Sequence, residues 1–179
     1  EIFFTDVQVP AENRLGAEGE GWKVTVSALA NERSSIGEVT QMFSKLDELK
    51  ELVRSTRVQG RPAAEDPAVR RQLARFETKI AAMKYNGLRY LTKQIKGEPL
   101  SSETSVNKLH RASLEIEMDD FAVSLSGEAG LQLKGGENAV SGGSWSKSAL
   151  NWPNVVIGGG TPNIQRNIIA ERILGLPKD

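Results

Sequence analysis

Apolar residues recur at three- and four-residue steps through most of the chain, and that spacing predicts helices. Between about Gly19 and Thr56, Ile36, Val39, Phe43, Leu46, Leu49 and Val53 share one stripe, while Lys45, Glu48 and Lys50 fill other faces. The run Gln59-Gly60-Arg61-Pro62 breaks the pattern. A second helix opens at Asp66-Pro67, an N-cap followed by a proline whose missing N–H costs nothing in the first turn. Its apolar positions are Val69, Leu73, Phe76, Ile80 and Met83, and Gly97 and Pro99 end it. Ser102 is the expected cap of a third helix. There Val106, Leu109 and Ile116 form one stripe and Leu114, Met118, Phe121 and Leu125 a second, so this helix is expected to be buried on more than one side. Gly127 and Gly130 mark its end.

Residues 134–160 are rich in Gly, Ser, Asn and Trp and are expected to be mostly irregular. A connection of that length is usually functional or mobile. A last helix is predicted from about Pro162 to Leu174, with Thr161 as N-cap and Gly175 and Pro177 as the stop. The opening residues differ. Ile2, Phe3, Phe4, Val7 and Val9, closed by Pro10, have strand composition, and a single strand requires a sheet that the rest of the sequence does not offer. The expected fold is mainly α. It is an up-down four-helix bundle, with three long helices and one short one, preceded by one β-strand.

Composition narrows the function. The 179 residues carry 23 Lys+Arg against 23 Asp+Glu, a formal net charge of zero with no basic block. Nucleic acid and anionic membrane surfaces are therefore poor partners. No apolar run approaches the roughly 20 residues that cross a bilayer. The absence of cysteine removes disulfides, thiolate nucleophiles and Cys-based metal sites, and one histidine, His110, makes no metal cluster. The chain opens on Glu1 rather than Met, so a longer polypeptide is expected.

The most informative segment is the last. Three glycines, Gly158 to Gly160, precede the capped helix that starts at Thr161-Pro162, and the N–H groups of its first turn point back toward them. Such a loop either joins two helices or seats a polar or anionic group. The string Gly158-Gly159-Gly160-Thr161-Pro162-Asn163-Ile164-Gln165-Arg166-Asn167-Ile168-Ile169-Ala170-Glu171-Arg172-Ile173-Leu174-Gly175-Leu176-Pro177 resembles the closing motif of the acyl-CoA dehydrogenase family. Residues Glu1 to Gly16 resemble the strand that ends that family's middle β domain. The two matches stand in the right order at opposite ends of the chain.

The resemblance implies a division into residues 1–17, the terminal strand and linker of a β domain, and residues 18–179, the C-terminal bundle. It implies FAD as cofactor and an acyl-CoA thioester as substrate, desaturated between Cα and Cβ. An electron-transfer flavoprotein would be the electron acceptor. The assembly would be a homo-oligomer (dimer or tetramer) or a heterotetramer, and the location the cytoplasm, or the mitochondrial matrix in a eukaryote. The isolated chain is expected to be inactive. Many members place the catalytic glutamate directly before the Gly-Thr of the closing motif, where this chain has Gly159. Others carry it on the first helix in a Glu-Arg pair, which here is Glu32-Arg33. Glu32 is accordingly the expected base, and Arg33 either places the thioester end of the substrate or makes an ion pair inside the bundle. Thr161 and Asn163 match flavin-contacting positions of the closing motif. Gly127 matches the first glycine of a second flavin segment, although Ser124-Leu125-Ser126-Gly127-Glu128 lacks that segment's Gln and second Gly. The Arg-x-x-Phe-Gly motif is also missing near Arg57-Val58-Gln59-Gly60-Arg61. A noncatalytic assembly subunit and a related flavin-dependent oxidase are the alternatives.

Five further residues stay open. Trp145 and Trp152 either line an acyl pocket or anchor the loop, with anchoring preferred. Lys108 and Arg111 either face a phosphate or are solvated helix charges, the latter preferred. His110 is expected on a helix surface or interface.

Overall fold

The computed structural model describes residues 2–32, 36–98 and 102–178, with the side chains of residues 29–32, 36 and 37 outside that description. The helices are α1 (Gly21–Glu32), α2 (Ile36–Ser55), α3 (Pro67–Ile95), α4 (Thr104–Ser126), α5 (Ser144–Leu150), α6 (Trp152–Ile157) and α7 (Pro162–Ile168). A π-helical turn, Ile169–Ile173, continues α7.

The local start signals act as their chemistry requires. Asp66 accepts a hydrogen bond from the Ala68 amide at 2.7 Å, with Pro67 in the first turn of α3. Thr161 Oγ1 accepts from the Ile164 amide at 3.4 Å, with Pro162 in the first turn of α7. Ser102 does not cap α4. The N-cap is Glu103, whose side chain makes no capping bond, and Ser102 contributes its carbonyl to the Ser105 amide instead.

Ion pairs fix the helix directions. Lys79 pairs with Glu117 and Lys93 with Glu103, so partners recede along α4 as they advance along α3, and the two run antiparallel. Glu38 pairs with Arg111 and Lys45 with Asp119, so α2 and α4 run parallel. The up-down order of α2, α3 and α4 follows. Their facing stripes close a core in which Leu46, Leu49, Phe76, Ile80, Met83, Leu114 and Met118 are fully buried. Removing one such side chain from water is worth about 1.5–3 kcal/mol. The Phe76 and Phe121 rings meet edge to face, centroids 5.8 Å apart.

Two expectations need correction and one is sharpened. Residues 2–9 form no strand; Ile2, Phe3 and Phe4 are about 80% exposed, with no partner strand among the described residues to complete their hydrogen bonds. The break after α2 is a small hairpin, Arg57–Val58 (β1) against Arg61–Pro62 (β2), turned by Gln59 at φ 49° and Gly60 at φ 79°. Two positive φ values are what a tight hairpin turn demands. Finally, residues 144–157 are largely helical. Their composition is poor in helix formers, but Trp145 on α5 packs into the core beside Met118 and Leu46, and that burial holds the short helix.

Candidate functional site

The third helix carries more than apolar stripes. Arg111, Glu115 and Asp119 stand four residues apart on α4, which places them on one face. Opposite them on α2 are Glu38 and Lys45, seven residues apart. The result is a chain of alternating charge between the helices. Arg111 donates to Glu38 at 2.5 Å and lies 3.5 Å from Glu115. Lys45 lies 3.6 Å from Glu115 and 2.8 Å from Asp119. Ser148 of α5 closes the chain, donating to Asp119 at 2.8 Å and accepting from Lys45 at 2.9 Å. The Lys45 ammonium also stands 5.8 Å from the Trp145 ring centroid, within cation–π reach.

Burial is the dominant influence on Asp119. It pushes the carboxyl above the ordinary aspartate value, with Lys45 and Ser148 pulling down and Glu115 pushing up. Lys45 therefore does not lie on an outer face, as its position in the α2 pattern suggested. It is an interior cation.

The Glu38–Arg111 end of this chain opens into a groove of about 320 Å³, lined also by Lys108, Glu115, Asn151, Asn154, Val155 and Gly158 and reaching Gly159. Lys108 donates to the Val155 carbonyl at 2.6 Å, and Arg111 is engaged by two carboxylates, so neither is the solvated surface charge expected of it. Gly159 and Gly160 have φ of 69° and 100°, where glycine is at ease and other residues are not. The turn is held from beneath. Gln165, 1% exposed, donates from Nε2 to the Gly159 carbonyl at 2.8 Å, and a Cβ on Gly160 would stand 2.5 Å from that nitrogen.

The residues singled out in the sequence fall in different places. Glu32 is the last residue of α1; its side chain, and all of Arg33, lie outside the described residues. Glu38 is the first described side chain of α2, and it lines the groove. Thr161, half-buried, and Asn163, exposed, flank the glycine turn at the start of α7, and Asn163 accepts from Arg166 at 3.2 Å. Gly127 is exposed at the far end of α4, about 28 Å along the helix axis from Lys108 at 1.5 Å per residue. Gly127 and Thr161 therefore do not share one pocket within this chain. Trp145 is a core anchor and Trp152 is half exposed. His110 is half-buried beside the Lys79–Glu117 pair, and burial first, then Lys79, holds its imidazole below the usual histidine value against the pull of Glu117. No group of metal-ligating side chains occurs among the described residues, and no described helix is long and apolar enough to cross a membrane.

The family model "Acyl-CoA dehydrogenase, C-terminal domain" matches residues 19–174. The chain belongs to the acyl-CoA dehydrogenase family. Acyl-CoA dehydrogenase IpdE1 of Mycobacterium tuberculosis is 34% identical over 181 aligned residues, covering 100% of this chain and 44% of that protein. The ChsE4–ChsE5 complex of Mycobacterium tuberculosis superposes with a TM-score of 0.81 at 26% identity, over 99% of this chain and 46% of that one. The Tcur3481–Tcur3483 steroid ACAD gives a TM-score of 0.81 at 24% identity, over 99% and 45%, a likeness of fold. The chain thus spans less than half the length of these acyl-CoA dehydrogenase relatives. Their shared architecture accounts for the helical bundle.

Proposed function

We propose that this chain is the C-terminal helical domain of a flavin-dependent acyl-CoA dehydrogenase that desaturates an acyl-CoA thioester between Cα and Cβ. The observation that carries the reading is the family match over residues 19–174 together with a groove that reaches the closing glycine turn. Residues 1–17 are read as the link to a middle β domain. FAD, when bound, supplies the acceptor for the hydride leaving Cβ. This chain's part is to bind, orient and deprotonate. Gly159 has no side chain to act as base, so Glu32 takes the α-proton and Arg33 steadies the thioester end of the substrate. The electron pair of the broken Cα–H bond forms the new double bond as the Cβ hydride departs.

Thr161 and Asn163 suit one end of a flavin because the turn before them presents bare backbone, with no Cβ at three successive positions. Gly127, at the opposite end of α4, suits a second flavin contact made toward a neighbouring subunit. That neighbour is a helical domain of the same or a related chain, and the ChsE4–ChsE5 complex, with two different components, favours a heteromer. An electron-transfer flavoprotein is the proposed acceptor for the reduced cofactor.

The test uses the full-length protein. Purified protein should carry flavin, and anaerobic addition of acyl-CoAs should bleach the flavin's visible band in the wild type but not in Glu32→Gln. Full-length protein that lacks flavin would favour an assembly role. Bleaching retained in Glu32→Gln would remove Glu32 as the base.

A further inference from the structure

The closing turn is built from the residue type with the least conformational restraint, yet side chains hold it in one shape. Gly158, Gly159 and Gly160 carry no Cβ, and three successive glycines left alone sample a wide range of backbone angles. Two ties limit them. On the α6 side, Lys108 of α4 donates to the Val155 carbonyl at 2.6 Å. On the α7 side, Gln165 donates from Nε2 to the Gly159 carbonyl at 2.8 Å. Long side chains on a helix lean toward its N-terminus. Gln165, one turn into α7, thus reaches back beneath the loop that enters its own helix.

The fit around that bond is close. A methyl on Gly160 would stand 2.5 Å from Nε2, and Gln165 is enclosed at 1% exposure. The amide cannot be turned over, because its oxygen would then face the Gly159 carbonyl, acceptor against acceptor. As it stands, Oε1 is buried with no hydrogen-bond partner among the described residues. An orphaned buried acceptor costs stability. For stability alone, an apolar side chain of the same length would serve position 165 about as well, since it would lose the bond and the orphan together. The cost is accounted for if the bond serves the site.

Resting on the dehydrogenase reading, we infer that Gln165 is a positioning residue for the flavin, holding the closing turn through the Gly159 carbonyl in the shape against which Thr161 and Asn163 meet the cofactor. Enclosed beneath the turn, Gln165 acts through the backbone rather than by touching the flavin. The effect is pre-organisation: a turn already in its bound shape has less freedom to lose when the cofactor arrives. Loss of one such bond corresponds to about tenfold in affinity.

The experiment strips flavin from the full-length protein and titrates FAD back by fluorescence quenching. It compares wild type, Gln165→Met, Gln165→Glu and Gly160→Ala, with the melting temperature of each flavin-free protein recorded. Gln165→Met keeps the length and removes the donor. The expected result is about tenfold weaker FAD binding at an unchanged flavin-free melting temperature. Gln165→Glu should bind weakly at neutral pH, where a carboxylate cannot donate, and recover toward the wild type on acidification, where a carboxyl O–H can. Gly160→Ala leaves Gln165 in place but presses on its amide, and should weaken FAD binding at least as much. Gln165→Glu is compared with itself across pH, so it is read even where the other two variants are unstable. A lowered melting temperature with wild-type FAD affinity in the folded Gln165→Met protein would overturn the inference. So would a Gln165→Glu defect indifferent to pH. Either result leaves the dehydrogenase reading standing, whereas wild-type protein that takes up no FAD would overturn both.

Discussion

The Lys108 side chain crosses in front of Gly159, so that a Cβ built on the glycine would stand 3.1 Å from Lys108 Cε. Lys108 is fixed there by its bond to the Val155 carbonyl. The space into which a closing-motif carboxylate would project is therefore partly filled by an ammonium stem. Restoring a glutamate at this position, Gly159→Glu, is expected to fail as a rescue of Glu32→Gln. The backbone φ of 69° disfavours any side chain by about 1–2 kcal/mol, and the new carboxylate would pair with Lys108 rather than reach a substrate. Thermal denaturation should show a lower midpoint for Gly159→Glu, and flavin bleaching in the double variant should stay absent. Recovered bleaching would show that the lysine yields.

Lys45 and Asp119 form the most buried link of the charge chain, with side chains 16% and 4% exposed. Lys45→Ala leaves Asp119 buried without its cation, and the expected loss is about 3–5 kcal/mol. Asp119→Asn keeps the shape, so its loss should be smaller. The acid dependence has a definite sign. Because the folded-state pKa of Asp119 is raised, the native state holds this proton more tightly than the unfolded chain. The contribution to stability is full below the ordinary aspartate value of 3.8 and declines as pH rises to the raised value. Asp119→Asn should remove that decline from a plot of denaturant stability against pH. An unchanged profile would show that Asp119 is not the group responsible.

His110 behaves in the opposite sense. Burial and Lys79 lower its folded-state pKa below 6.5, so the unfolded chain binds the proton more readily. Stability should fall as pH drops from about the ordinary histidine value through the lowered one, then level off. His110→Gln should flatten that region of the curve while leaving the neutral-pH unfolding free energy within about 0.5 kcal/mol of wild type, as for a partly exposed site.

Much of the bundle was legible because its signals are local. The caps at Asp66-Pro67 and Thr161-Pro162 depend on neighbours two or three residues away, and Phe76, Ile80 and Met83 declare their face by period alone. The charge chain was not legible in the same way. Lys45 meets Asp119 across 74 residues and Ser148 across 103, and nothing in the α2 pattern marks that lysine as interior. A usable hint existed in the spacing of Arg111, Glu115 and Asp119 between two apolar stripes, which argues for partners on a facing helix. Residues 144–157 were misread because Ser, Asn and Gly are weak helix formers, whereas burial of Trp145 decides their conformation. The opening strand failed for the converse reason: Ile2 to Val9 have the composition, but a strand is a property of a pair.

Arg111 links the groove to the start of α2. It donates to Glu38 and approaches Glu115, with its own side chain 27% exposed. Removing the guanidinium takes from Glu38 its ion pair across to α4 and loosens the first turn of α2, six residues beyond the proposed base. If Glu32 is the base as proposed, Arg111 is expected to act as a positioning residue, holding the start of α2 rather than touching the reacting carbons. In the full-length enzyme, Arg111→Gln should lower kcat by up to about 10²-fold, the scale of a misplacement near 1 Å, with KM changed much less. Arg111→Lys should recover part of the rate because one charge-assisted bond to Glu38 survives. A merely structural role would lower the melting temperature of both variants and leave kcat per folded, flavin-loaded molecule at the wild-type value. Titrating active flavin in each preparation separates these outcomes, and an undiminished kcat in Arg111→Gln would detach Arg111 from the chemistry.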